Sequence, residues 1–373
     1  MPITPGSSVR IALAAVLVCA LVGCAPSPAA PLPTSAAPVV PTASASPTPT
    51  PAASWRVSGE PSTLATGLAA PWSVAPLRGG GALISERDSG TVRELAADGT
   101  LREAGTVAGV VSGGESGLHG IAVHDGWLYA YHGAADDNRV VRMPLDGAEG
   151  GLTLGVAEEV FTGIPRNSTH NGGRIAFGPD GFLYVTTGDA QNRDAAQDPA
   201  ALGGKILRLT PEGAPAPGNP FDSAVWSLGH RNVQGIAWTA DGTMWASEFG
   251  QNTWDELNRI EPGANYGWPV VEGDSTDARF TAPVVSWATS DASPSGVAAV
   301  GQTVFVTGLR GERLWLYDAQ TEALEVAFSG QGRLRDAVAA PDGSLWLLTN
   351  NTDGRGSPRD GDDVLIRLPL AAA

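Results

Sequence analysis

The chain has 373 residues, a formal net charge of −16, and 48 glycines, 29 prolines and 11 tryptophans. An acidic balance of this size disfavours nucleic acid and anionic lipid headgroups, leaving a neutral or cationic small molecule, or a metal ion, as partner. A chain this long can bury a core without disulfides, and its two cysteines, Cys19 and Cys24, both lie near the N-terminus.

Arg10 precedes an apolar run from Ile11 to Val22, too short for a permanent span, which needs roughly 20 apolar residues. The run ends in Leu21-Val22-Gly23-Cys24, which resembles the lipobox of bacterial lipoproteins. That resemblance implies a signal peptide over residues 1–24, with Cys24 the lipidated N-terminus of an exported protein anchored to the outer face of the cell membrane. Residues 25–54 are almost wholly Pro, Ala, Ser, Thr and Val. With no periodicity and little to bury, they are expected to form a disordered stalk.

From residue 55 to 373 a short pattern keeps returning: a turn containing Asp-Gly or Gly-Gly, then an alternating strand rich in aromatic and β-branched residues. Clear copies are Pro179-Asp180-Gly181-Phe182-Leu183-Tyr184, Ala240-Asp241-Gly242-Thr243-Met244-Trp245 and Pro341-Asp342-Gly343-Ser344-Leu345-Trp346. Weaker ones start at Gly80, His124 and Val300. Asp-Gly supplies the positive φ of a two-residue hairpin turn, and period-2 alternation marks a half-buried strand. Six copies predict an all-β fold, a six-bladed β-propeller of four-stranded antiparallel blades. The ring is expected to close by pairing Trp55-Arg56-Val57 with the last blade near residues 363–367. A ligand then belongs at one mouth of the central channel, on loops from several blades.

Polar clusters that strand packing does not require mark that mouth. His170 precedes a strand, and Asp189 follows nineteen residues later. A carboxylate that fixes the imidazole tautomer would leave the other ring nitrogen as a general base. Taken alone, such a pair is more often a hydrogen-bonded loop than a catalytic dyad. Arg231, Arg310, Arg333 and Arg335 fall at equivalent blade ends of an acidic protein, an arrangement suited to a multiply anionic ligand.

Gly229-His230-Arg231-Asn232-x-Gln234-Gly235, Glu248, Asp255-Glu256 and Asn265-Tyr266-Gly267-Trp268-Pro269 together resemble the soluble, PQQ-dependent glucose and aldose sugar dehydrogenases. So do His170, Gly173-Arg174, Gly178-Pro179-Asp180 and Gly188-Asp189. The resemblance implies an oxidoreductase that takes aldoses to lactones. It makes His170 the base, Asp189 its orienting partner, and Arg231 the group facing developing charge on the quinone. Asn232, Arg310, Arg333 and Arg335 would hold PQQ. Backbone carbonyls of Gly250 and Gln251 would ligate the Ca²⁺ that bridges protein and cofactor. Glu256 and the Tyr266 carbonyl would hold a second, structural Ca²⁺.

Two positions depart from the family pattern. Glu115 stands where Gln usually contacts the cofactor, and Thr169 replaces an acidic or polar neighbour of the base. Glu115 is expected to be protonated, or paired with an Arg such as Arg310 or Arg335, so that the site gains no net negative charge. Short loops favour a broad aldose enzyme, expected to be a monomer. The alternative is a non-enzymatic propeller lipoprotein, its PQQ site degenerate, that binds a cell-wall glycan or a protein.

Overall fold

The structure, a computed structural model, describes residues 53–373. Cys24, the signal segment and the stalk up to residue 52 lie outside the described residues. Six antiparallel sheets follow one another along the chain, and their innermost strands neighbour each other in a closed ring. Those innermost strands are Pro71–Pro76, Leu118–His124, Ile175–Phe177, Val233–Trp238, Pro294–Val300 and Leu334–Ala339. The fold is a six-bladed β-propeller of four-stranded blades. In the second blade, Asn138–Asp146 pairs with both Thr153–Leu154 and Glu158–Ile164, which adds a fifth strand.

Every recurring sequence copy is the second strand of its blade: Ala82–Glu86, Trp127–Gly133, Leu183–Thr186, Met244–Glu248, Thr303–Gly308 and Leu345–Thr349. The turns before them differ from the expected hairpin. Only Asp125-Gly126 makes the two-residue turn with both φ positive, at 47° and 81°, between the paired His124 and Trp127. At Asp180, Asp241 and Asp342 the carboxylate instead accepts the N–H two residues on, from Phe182, Thr243 and Ser344. The Asp closes its own turn, and the glycine after it takes the positive φ.

Closure also differs in its first strand. The last blade, Leu334–Ala339, Leu345–Thr349 and Leu365–Leu368, is completed by Ser62–Ala65. Trp55–Val57 pairs instead with Leu370–Ala372 in a separate two-stranded sheet. Leu64 and Ala65 carry apolar surface into the cluster between the last and first blades, whereas alternate residues of Trp55–Val57 are only half buried. The strand with more to bury takes the closing position.

The core is not one mass but six layers, each between neighbouring blades. Leu83, Val92, Leu118 and Leu128 fill the layer between the first and second blades, and Phe305, Leu314, Leu345 and Ile366 that between the fifth and sixth. This packing holds the blade ends in register, so loops from different blades meet at one mouth.

Candidate active site

Glu115, His170 and Arg231 lie in the segments leading into inner strands, and Asn232 immediately precedes one. Asp189, Gly250, Gln251 and Arg310 follow second strands. Both kinds of position fall at the same end of the ring, which is why residues far apart in sequence converge. His170, Arg231, Asn232, Gly250, Gln251 and Arg310 line an open cleft of about 590 Å³ together with Glu115 and Arg355. An adjoining hollow of about 480 Å³ is walled by His170, Asp189, Arg231 and Trp268.

At its centre His170 Nδ1 lies 2.7 Å from Asp189 Oδ1, and Arg231 Nη2 lies 2.9 Å from His170 Nε2. Arginine can only donate, so Nε2 is the acceptor and Nδ1 carries the proton that the carboxylate receives. Asp189 is fully buried. Burial would raise its pKa, but hydrogen bonds from His170, the Gln191 amide and the Trp268 indole outweigh this and hold it below the usual carboxylate range. The carboxylate therefore stays ionised and fixes the imidazole.

Arg231 is anchored by the Phe249 carbonyl at 3.0 Å, and its backbone N–H donates to Glu248, which also binds His230 Nδ1 at 2.8 Å. Asn232 Oδ1 accepts the Gly172 amide at 3.0 Å, while its buried Nδ2 has no protein partner among the described residues. Arg335 is buried against Asn350, Gln234 and Ser295. Burial pushes its pKa down to about 9; Asp353 opposes the shift, while nearby Arg333, Arg87 and Arg174 add to it. Neither Arg333 nor Arg335 lines this cleft: Arg335 lines a neighbouring hollow that shares Glu115 and Arg355 with it. Arg333 and Arg335 share Asp353, at 3.0 and 3.9 Å. Buried cations that outnumber their anions, and an orphaned amide donor, fit a multiply anionic ligand.

The metal-binding expectation rests on one loop. Glu272 Oε1 accepts the N–H groups of Gln251, Asn252, Thr253 and Trp254 at 2.7–3.2 Å. Within a planar trans peptide the carbonyl points opposite its N–H. The Gly250 and Gln251 carbonyls therefore point away from Glu272, and both residues line the cleft. Glu256 and Tyr266 lie off the cleft. Burial, with Glu248 and Glu272 nearby, pushes Glu256 up to about 8, and buried Asn258 Oδ1 beside it has no donor. A carboxylate that resists ionisation and an unpaired oxygen are groups a hard cation would satisfy. The Tyr266 ring stacks on His230 at 4.6 Å.

Glu115 meets neither of its expected partners. Its Oε2 accepts the His170 amide at 3.0 Å, and its Oε1 takes Arg355 Nη1 at 3.1 Å rather than Arg310 or Arg335. Arg310 donates to the Thr289 carbonyl, and Arg335 is sequestered as described. Thr169 Oγ1 accepts from Gln191 at 2.7 Å.

The family profile described as Glucose / Sorbosone dehydrogenase matches residues 68–367. The chain belongs to the glucose/sorbosone dehydrogenase family. A PQQ-bound aldose sugar dehydrogenase from Streptomyces coelicolor is 48% identical, covering 87% of this chain and 100% of that one with a TM-score of 0.80. An uncharacterized protein of Synechocystis is 34% identical over 78% of this chain and 83% of its own length. The aldose sugar dehydrogenase YliI of Escherichia coli is 32% identical over 54% of this chain and 64% of its own length. Within this family member, Arg355 and Glu272 are site-shaping residues that sequence reading missed. Arg355 lies in a Gly-flanked loop with no periodicity, and Glu272 acts only through backbone amides of a distant turn.

Proposed function

We propose that the protein is a PQQ- and Ca²⁺-dependent dehydrogenase that oxidises aldoses to lactones. The observation that carries this reading is the Asp189–His170–Arg231 chain of contacts on a cleft lined with arginine. PQQ, when bound, supplies the two-electron acceptor for the hydride that leaves C1 of the sugar. Asn232, Arg310 and Arg335 would hold its carboxylates and carbonyls, with Arg333 sharing Asp353 beside Arg335, and the Gly250 and Gln251 carbonyls would bind its Ca²⁺.

The protein's own part is proton transfer and positioning. His170 Nε2 presents the one lone pair of the imidazole, and Asp189 stabilises the imidazolium that forms when Nε2 takes the C1 hydroxyl proton. The hydroxyl takes the position on Nε2 that Arg231 Nη2 holds, and the released guanidinium then faces the region where negative charge develops. The hollow walled by Trp268, Gln191 and Arg193 gives the sugar an aromatic face and polar edges, as a monosaccharide site requires.

The family relatives and the cleft geometry support this reading. Export, the Cys24 anchor, the outer-face location and the monomeric state belong to the same proposal and rest on the sequence. The experiment is reconstitution: apoprotein with PQQ and Ca²⁺ is expected to reduce a dye on addition of aldoses. Absence of both PQQ uptake and dye reduction with excess Ca²⁺ overturns it.

A further inference from the structure

Arg355 lies on the loop between Leu345–Thr349 and Leu365–Leu368 of the last blade, yet its guanidinium reaches a residue 240 positions away. Its loop is fixed by Asp353, whose Oδ1 accepts the Arg355 amide at 2.9 Å while Oδ2 takes Arg333 Nη2 at 3.0 Å. At the other end, the second oxygen of Glu115 accepts the His170 amide at 3.0 Å, so the carboxylate bridges Arg355 and His170. An arc of charge therefore runs from Arg333 through Asp353, Arg355 and Glu115 to the backbone of His170. It spans the rim of the cleft that Glu115, His170, Arg231 and Arg355 line together.

We propose that Arg355 is a positioning residue of the cofactor site. By neutralising Glu115 in place, it lets that carboxylate hold the His170 backbone without repelling an anionic ligand. The assignment rests on the dehydrogenase reading for its ligand, PQQ, and on the Arg355–Glu115–His170 geometry for its hold on His170. A bare carboxylate at this rim would oppose a tricarboxylate at short range, whereas a carboxylate paired with a guanidinium presents almost no net charge. Without Arg355, Glu115 turns toward the remaining cations of the mouth and releases the His170 N–H. A glutamine in its place would need no such partner. The pairing makes glutamate workable there.

The test is a double-mutant cycle of Arg355→Gln and Glu115→Gln on the full chain, with Arg355→Lys as a charge-conserving control. Two quantities are read: PQQ affinity of the apoprotein at constant Ca²⁺, and hydrogen exchange of the His170 amide without PQQ. Arg355→Gln is expected to weaken PQQ binding about tenfold when Glu115 is present, but less than about threefold in Glu115→Gln. Arg355→Lys is expected to fall between Arg355→Gln and the unaltered protein. Exchange at His170 is expected to rise by about fivefold or more in Arg355→Gln. Equal losses of affinity in both backgrounds, or unchanged exchange at His170, overturn the assignment. If the unaltered protein takes up no PQQ with excess Ca²⁺, the dehydrogenase reading is what fails, and the exchange measurement alone decides the role of Arg355.

Discussion

His170 adopts φ +58°, a left-handed conformation that costs a non-glycine residue about 1–2 kcal/mol. Glu115 on its amide, Asp189 on Nδ1 and Arg231 on Nε2 hold it there. Asparagine tolerates this conformation, so His170→Asn removes the base with little backbone strain. It is expected to lower kcat by about 10²–10⁴ while PQQ affinity changes little; near-normal turnover with PQQ bound would exclude His170 as base. A second histidine, His119, is buried between the rings of Trp72 and Tyr131, with Nε2 2.7 Å from the Glu115 carbonyl. Burial pushes its pKa from 6.5 down to about 3, with the charges of Arg87, Arg335 and Arg174 adding to the shift and the carbonyl opposing it. Between these values the unfolded chain binds a proton that the folded one refuses, so stability falls as pH drops from about 6.5 toward 3. The full difference is on the order of 5 kcal/mol. His119→Gln, which retains a donor for the Glu115 carbonyl, is expected to flatten stability against pH over that window. Parallel denaturation curves for the two proteins at pH 4 and pH 6.5 would contradict this.

At the scale of elements, the segment of residues 250–254 shows how a loop is made rigid without regular structure. Four consecutive N–H groups converge on Glu272 Oε1, and Asp255 takes the Gly250 amide and the Ser293 amide at 2.9 and 2.7 Å. An ionised acceptor makes each of these bonds stronger than a neutral one would. Glu272→Gln keeps the shape but removes the charge, loosening the two peptides whose carbonyls face the cleft. Outer partners of metal ligands typically contribute 10- to 100-fold in affinity, so Ca²⁺ affinity of the apoprotein is expected to fall about tenfold. Calorimetric titration checks it: unchanged affinity would mean that the carbonyls do not depend on Glu272. The 3₁₀ turn Arg193–Gln197 is braced in a related way, by the buried Lys205 ammonium on the carbonyls of Ala195, Ala196 and Gly203. Its Arg193 lies over the Trp268 ring at 4.5 Å, so the brace reaches the wall of the hollow beside His170.

At the scale of the molecule, the six interblade layers give each blade two neighbours, and the ring has no unpaired end because Ser62–Ala65 completes the last blade. Removing residues through Gly59 takes away Trp55–Val57 with its pairing to Leu370–Ala372, its two hydrogen bonds to the Thr303 hydroxyl and the packing of Val57, but leaves the last blade complete. Removing residues through Ala65 also strips the edge of Leu365–Leu368 and uncovers the layer containing Ala65, Leu68 and Trp346. The first truncation is expected to shift the denaturation midpoint slightly. The second is expected to cost several kcal/mol, on the order of 3 or more, from lost burial alone. Equal midpoints for the two would mean that the ring closes elsewhere.

The alternating strands after each Gly-containing turn were enough, by themselves, to determine the number of blades, because a period of two and a turn residue are properties of adjacent positions. The His170 and Asp189 pairing was legible for a related reason: both flank the same hairpin, so a local count of residues brings them together. Closure was not. Trp55–Val57 and Ser62–Ala65 are both short and strand-like, and only the apolar layer between the last and first blades selects the second. The partner of Glu115 was equally hidden. Any of several arginines could have met it by charge, and which one does depends on where a loop of the sixth blade ends relative to a loop of the second. Local chemistry is written along the chain, but a contact between Glu115 and Arg355 exists only once the ring has closed.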